Sequence, residues 1–394
     1  MKILSQRAAL LKPSATLAIS AKEKELKSQG VDVVGFGAGE PDFPTPAWIR
    51  EAAKMSLDRG ETFYTPVGGS LDLKKAVCRR FVEDYGLEYQ PGQVVVSCGA
   101  KHSLYNIFQA IIDQGDEVLV FAPYWVSYPE MIALSGGSPV IVPTREEDGF
   151  VPDPGLVESL ITGRTTAMLL NSPSNPTGVS YPHDVLAKLA ALADKHDLLV
   201  ISDEIYDKLL YDNRSFTPFA TLPGAKERTV TVNGVSKTYA MTGLRIGYLA
   251  CTRPELVKAA TDIQSQSTSN PSNPAQAAAV EALNGPQDGV FQMREIFERR
   301  RNLMMDEIAK IPGLQATRPD GAFYVFLNIA QFVGKGGITD STGFAQYLLD
   351  RYAVAAVPGG PFGSEDHVRL SFATSEESIL KGMDRIRKAC AELG

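Results

Sequence analysis

The sequence predicts an α/β protein, with a mainly parallel seven-stranded sheet between helices joined to a smaller α+β portion. Two observations carry this. Between about Leu71 and Ala250, amphipathic stretches of helical spacing alternate with short apolar runs, the pattern of a parallel sheet covered by helices. After Cys251 the pattern changes to long helical stretches followed by separate β-runs. At 394 residues and 44% hydrophobic content, the chain is long enough for two or three cores.

The strand candidates are Val94–Ser97, Val118–Phe121, Val140–Val142, Ala167–Asn171, Leu198–Ser202, Thr229–Val232 and Ile246–Ala250. Each is a continuous apolar run rather than an alternation, as expected for strands buried on both faces. Between them Leu71–Tyr85, His102–Ile112 and Asp184–Asp194 carry helical spacing. Further on, Val290–Ile311 is rich in Arg and Glu at helical spacing, Phe323–Leu327, Val354–Val357 and Val368–Phe372 are strand candidates, and Glu376–Glu392 closes the chain as a helix. The opening, with Pro41, Pro44 and Pro46, reads as an extended arm and crossing segment rather than a strand-and-helix unit. No internal repeat or low-complexity linker is visible.

Composition narrows the function by exclusion. The 39 basic and 46 acidic residues give a net charge of −7 without a basic block, which argues against nucleic acid. Residues Met1 to Leu11 are mixed and interrupted by Lys2, Gln6 and Arg7, unlike a signal peptide. No stretch approaches the roughly 20 apolar residues of a membrane span. Cys78, Cys98, Cys251 and Cys390 lie far apart, in no spacing that suggests zinc or a redox dithiol, so we expect reduced core cysteines in a cytoplasmic protein without a metal.

Chemistry in such sheets collects at the carboxyl ends of strands. Asp203 follows the run Leu198–Ser202, and Gly99, Ala100 and Lys101 follow Val94–Ser97. Lys237 lies downstream in Ser236-Lys237-Thr238-Tyr239-Ala240-Met241-Thr242-Gly243-Leu244-Arg245. A lysine amine can bond covalently to an aldehyde, an acid can keep a pyridine nitrogen protonated, and an arginine can take a phosphate. Together they are what pyridoxal phosphate requires. Singly they are weaker: Asp203 would also serve as a helix N-cap, Arg245 as a surface residue, and Gly99–Lys101 as an ordinary strand-to-helix turn whose N–H groups favour an anion.

Other residues fit the same site, each with a plainer alternative. Tyr206 and Asn175 can reach a ring's phenolic oxygen, or can merely pack and turn the chain. Trp125 follows a buried run and offers a flat face for a ring, or packs in the core. Arg369 sits in the apolar run His367–Ser371, where a guanidinium needs an anion; a ligand carboxylate or a structural ion pair would satisfy it. The stretch Gly35-Phe36-Gly37-Ala38-Gly39 looks like a dinucleotide loop but fails on spacing, and Glu40-Pro41-Asp42-Phe43-Pro44 follows where a helix should start. Gly39 more plausibly allows a ligand to approach the backbone.

On these residues the chain resembles the class I aminotransferases, fold-type I pyridoxal-phosphate enzymes, and within them the bacterial aspartate aminotransferases of subgroup Ib. The ordered matches are Ala38–Asp42, Tyr64–Gly69, Tyr124–Glu130, Asn171–Gly178, Ser202–Tyr206, Gly234–Gly247, Gly321–Tyr324 and Val368–Thr374. The resemblance implies that Lys237 carries the cofactor, with Ser236 beside it, and that Asp203 contacts the pyridinium. It implies that Tyr206 and Asn175 serve the phenolic oxygen, Trp125 the ring, and Arg245 with Gly99, Ala100 and Lys101 the phosphate. Arg369 inherits the substrate α-carboxylate, with Gly39, Trp125 and Asn175 alongside.

The family forms homodimers with shared sites, and Tyr64 matches a tyrosine that reaches the neighbouring subunit's phosphate. The arginine with which some relatives hold the distal carboxylate has no counterpart in Gln264–Asn273; Lys101 matches a lysine linked with acidic substrates and Lys12 a position linked with prephenate. The implied partners are amino acids and 2-oxo acids, and the implied layout is an arm and part of the small domain at 1–48, a large cofactor-binding domain at 49–285 and the small C-terminal domain at 286–394. The expected activity is aspartate:2-oxoglutarate transamination, with prephenate as a further acceptor. An aromatic or alanine aminotransferase, a carbon–sulfur lyase, or a ligand-sensing module of the same fold are the competing readings.

Overall fold

The computed structural model describes residues 3–5, 8, 9, 11, 13 and 15–394. Its strands are β1 (Val34–Gly35), β2 (Val94–Ser97), β3 (Glu117–Ala122), β4 (Ser138–Pro143), β5 (Thr165–Asn171), β6 (Leu199–Asp203), β7 (Thr229–Gly234), β8 (Gly247–Ala250), β9 (Gln315–Ala316), β10 (Tyr324–Asn328), β11 (Val354–Ala355), β12 (Val357–Pro358) and β13 (His367–Ser371). All seven strand candidates before Cys251 join one sheet, in the order β2-β8-β7-β6-β5-β3-β4. Helices Leu71–Tyr85, Ala100–Ile111 and His183–Lys195 stand within two residues of the predicted spans.

The sheet is mainly parallel, as the sequence predicts, with β8 antiparallel to both β2 and β7. The expected burial of every strand on both faces needs correction. β4, one of the two edge strands, is mostly solvent-accessible, whereas the other edge strand, β2, is buried. The other strands are buried on both faces. Val95, Val120, Leu169, Ile201 and Val232 pack under Leu104, Ile107 and Phe108 of the Ala100–Ile111 helix. Leu119, Met168, Leu170 and Val200 pack on the opposite face with Leu186 and Leu189 of the His183–Lys195 helix. Successive residues of one strand therefore feed two cores, which is why the runs are continuously apolar.

The later segments form a second, antiparallel sheet, β12-β13-β10-β9, backed by helices Asp288–Ile308 and Glu376–Leu393. The single predicted strand Val354–Val357 is broken into β11 and β12, which join different sheets. The opening is less extended than expected. A helix spans Ala15–Ser28, and β1 pairs in parallel with β11 before the Pro-rich segment crosses to the helix Ala47–Asp58.

Candidate active site

The carboxyl ends of β2, β5, β6 and β7 lie on one edge of the large sheet. Because β8 runs the other way, its first residue, Gly247, pairs with both Ser97 and Gly234 on that same edge. Arg245, two residues earlier, is thus delivered beside the start of the Ala100–Ile111 helix. Two glycines permit this approach. A Cβ on Gly247 would lie 2.1 Å from Ala100 N, and one on Gly99, at φ +89°, would lie 2.3 Å from Arg245 Nη2.

Above this edge opens a cleft of about 500 Å³, lined by Gly39, Ala100, Lys101, Trp125, Asn175, Asp203, Tyr206, Ser236, Lys237, Arg245 and Arg369 among others. Eleven of the predicted site residues meet there, although they come from across the chain. Gly99 caps the helix just behind Ala100 and is not part of the lining. Tyr64 is 90% exposed and does not line its own chain's cleft. Lys12 lies outside the described residues.

Lys237 Nζ donates to the Gly39 carbonyl at 2.6 Å. Burial lowers its pKa to about 8, with Glu40 opposing that shift and Arg245 and Arg369 reinforcing it. Burial pushes Asp203 up to about 6, against hydrogen bonds from the Tyr128 hydroxyl and the Ile205 N–H and the charge of Lys237. The Ile205 bond is a local turn; no helix starts at Asp203, so the N-cap alternative fails. The Tyr206 hydroxyl lies 3.0 Å from that of Tyr324 in the buried wall, so it does more than pack.

Arg369 is fully buried, and the structural ion pair considered for it does not occur among the described residues. Its Nη1 donates to Asn175 Oδ1 at 3.1 Å and its Nη2 to the Gly37 carbonyl at 3.0 Å. Its Nε has no protein partner there, and the Tyr324 and Phe362 rings flank the guanidinium. A buried cation with neutral partners is an anion site in need of its anion. Lys101 Nζ stands 4.6 Å from the centre of the Trp125 ring, and desolvation, reinforced by Arg245, lowers its pKa. Arg245 Nη1 is held by the Thr242 carbonyl at 2.9 Å.

Sequence reasoning missed several neighbours. Tyr128 and Tyr324 lie inside matched motifs, but their partners, Asp203 and Tyr206, are set by strand order rather than spacing. Thr242 bonds Glu40 across the cleft at 2.6 Å. Thr16, Leu17, Ser20, Glu23 and Lys24 of the unanticipated first helix form a further wall.

Comparison with known proteins decides the family. The model of the class I and II aminotransferases matches residues 31–386. The chain belongs to the class I and II aminotransferases. Among aminotransferase relatives, an aspartate aminotransferase of Bacillus subtilis is 47% identical over 386 residues, 98% of each chain. An aspartate/prephenate aminotransferase of Thermus thermophilus is 46% identical over 98% of this chain and 99% of its own length. Among solved aminotransferase structures, that of an aspartate aminotransferase from Thermus thermophilus with maleate superposes with a TM-score of 0.94, at 46% identity over 99% of this chain and all of the other. An aspartate aminotransferase from Rhizobium meliloti gives 0.95 at 41% identity over the whole of both chains.

Proposed function

We propose that this aminotransferase moves the amino group of L-aspartate to 2-oxoglutarate, giving oxaloacetate and L-glutamate, with prephenate as a further acceptor. Pyridoxal 5′-phosphate is the proposed cofactor, and the working form is a cytoplasmic homodimer. The observation that carries the reading is the convergence in one cleft of a buried lysine amine, a buried carboxylate and two guanidinium groups. The names of the relatives at 46–47% identity support the choice of aspartate. Among the described residues no helix is long and apolar enough to cross a membrane.

The residues present fit the cofactor. Lys237 would hold it through Nζ, Asp203 would face its ring nitrogen, Tyr206 and Asn175 its phenolic oxygen, and Trp125 its ring. The N-terminus of the Ala100–Ile111 helix, Ser236 and Arg245 would take its phosphate, joined by Tyr64 of a second subunit. When bound, the cofactor supplies an electron sink for the substrate's Cα. Lys237 is the base that takes the Cα proton and the acid that returns it. Its amine, lowered to about 8, is neutral far more often near pH 7 than an exposed lysine. Asp203, charged above about pH 6 and sealed from water, keeps a proton on the nitrogen opposite it. Arg369 orients every substrate by its α-carboxylate, over Gly39. Lys101, with Lys12, offers a cation to the distal carboxylate. Donor and acceptor use the cleft in turn, which gives ping-pong kinetics.

We also propose an arm at 1–48, a large domain at 49–285 and a small domain at 286–394. The pairing of β1 with β11 supports assigning part of the arm to the small domain.

The test is a panel of amino donors and oxo acids, prephenate included. The largest kcat/KM should belong to aspartate with an acidic acceptor. A larger value for phenylalanine or alanine would move the assignment to an aromatic or alanine aminotransferase, and pyruvate release from a sulfur-bearing donor would make it a lyase.

A further inference from the structure

We infer that Asp42 and Arg300 are positioning residues for substrate carboxylate binding, acting through the backbone of the segment 37–42. This rests on the functional reading above for the roles of Lys237 and Arg369. The segment crosses the mouth of the cleft without regular structure, yet the two cations nearest the proposed chemistry both bond to it. Arg369 Nη2 donates to the Gly37 carbonyl and Lys237 Nζ to the Gly39 carbonyl, two residues on. Where those carbonyls stand decides where the two side chains point.

One end of the segment is fixed by the small sheet. The Ser371 N–H donates to the Phe36 carbonyl at 2.8 Å, and the Phe36 N–H to Ala355 O at 2.8 Å. The other end is fixed from the long helix Asp288–Ile308. Arg300 Nη1 donates to Asp42 Oδ1 at 2.7 Å, and its guanidinium lies over the Phe43 and Phe297 rings at 5.2 and 5.8 Å. The Arg300 side chain is 10% exposed and that of Asp42 31%, so loss of the Asp42 charge leaves a largely desolvated guanidinium. Arg300 thus holds Asp42 and Phe43 together against the core beneath the small sheet, where Phe297 meets Phe323 and Phe372. Slackening this anchor frees the Gly37 carbonyl to drift and lets the Arg369 fork rotate away from its α-carboxylate geometry.

The test uses the cofactor-loaded protein with Arg300→Met and, because that variant also removes a buried side chain from between the Phe43 and Phe297 rings, the near-isosteric Asp42→Asn. Each should raise KM for aspartate and for alanine by the same factor, roughly tenfold, with a smaller change in kcat. The dissociation constant of maleate, read from tryptophan fluorescence, should rise in parallel while cofactor retention is unchanged, and Arg300→Lys should recover most of the loss. A lowered Tm with unchanged KM and maleate affinity would reduce the pair to a structural one, and a loss confined to aspartate would overturn the α-carboxylate assignment. A wild-type protein that binds maleate yet transaminates no donor would sink the proposed function, leaving the maleate measurement to decide this inference.

Discussion

The Tyr128 hydroxyl donates to Asp203 Oδ2 at 2.7 Å, and both side chains are buried. Tyr128 stands on the helix Ser127–Leu134 that follows β3, whereas Asp203 ends β6, two strands across the sheet. The bond favours the charged carboxylate against the desolvation that raises it to about 6. Tyr128→Phe removes that donor and should move the acid limb of the kcat/KM profile up by about one pH unit, the equivalent of a lost bond to a charged group. Asp203→Asn should abolish the limb and lower kcat far more than cofactor affinity. An unmoved limb in Tyr128→Phe would show that Asp203 is not the group titrating there.

Lys237→Ala should end turnover while leaving the protein folded. It should also change stability in a direction fixed by linkage. The amine titrates near 8 when folded and near 10.5 when unfolded, so between those values the unfolded chain binds more protons and stability rises with pH. Below about pH 8 the full cost of a buried ammonium is present. The cofactor-free Lys237→Ala protein should therefore melt higher than cofactor-free wild type at pH 7, by a margin that shrinks toward pH 10. A lower melting temperature at pH 7 would contradict the burial argument.

Tyr64 is exposed and absent from its own cleft, which fits a residue that serves a neighbouring subunit. Tyr64→Phe should weaken cofactor retention, and mixing inactive variants at Tyr64 and Lys237 should restore part of the activity in heterodimers. If subunits exchange and no activity returns, each site is built within one chain.

Arg369→Ala should damage every amino donor alike, by about 2–5 kcal/mol in kcat/KM, as for truncation of a buried charge partner. Lys101→Ala should lower kcat/KM selectively for aspartate relative to alanine or phenylalanine. An equal fall for all donors would place Lys101 on the cofactor phosphate instead.

The sequence by itself determined the strands of the large sheet, the family, and the identity of eleven of the groups that line the cleft. It could do so because those signals are local: a strand buried on both faces must be apolar along its whole length, and Lys237, Asp203 and the Gly99 turn each sit in a short motif. Tertiary structure alone decided which of these groups face one another. Arg369 and Asn175 are 194 residues apart and meet only because the small sheet packs over the large one. Arg245 reaches the helix start because β8 is antiparallel, a choice that depends on pairing partners rather than on its own residues. Tyr128 finds Asp203, and the segment 37–42 binds both Lys237 and Arg369, through a strand order and a crossing path that no spacing encodes. Hydrogen bonds act over about 3 Å in space, so their partners follow from how the elements pack and not from their order along the chain.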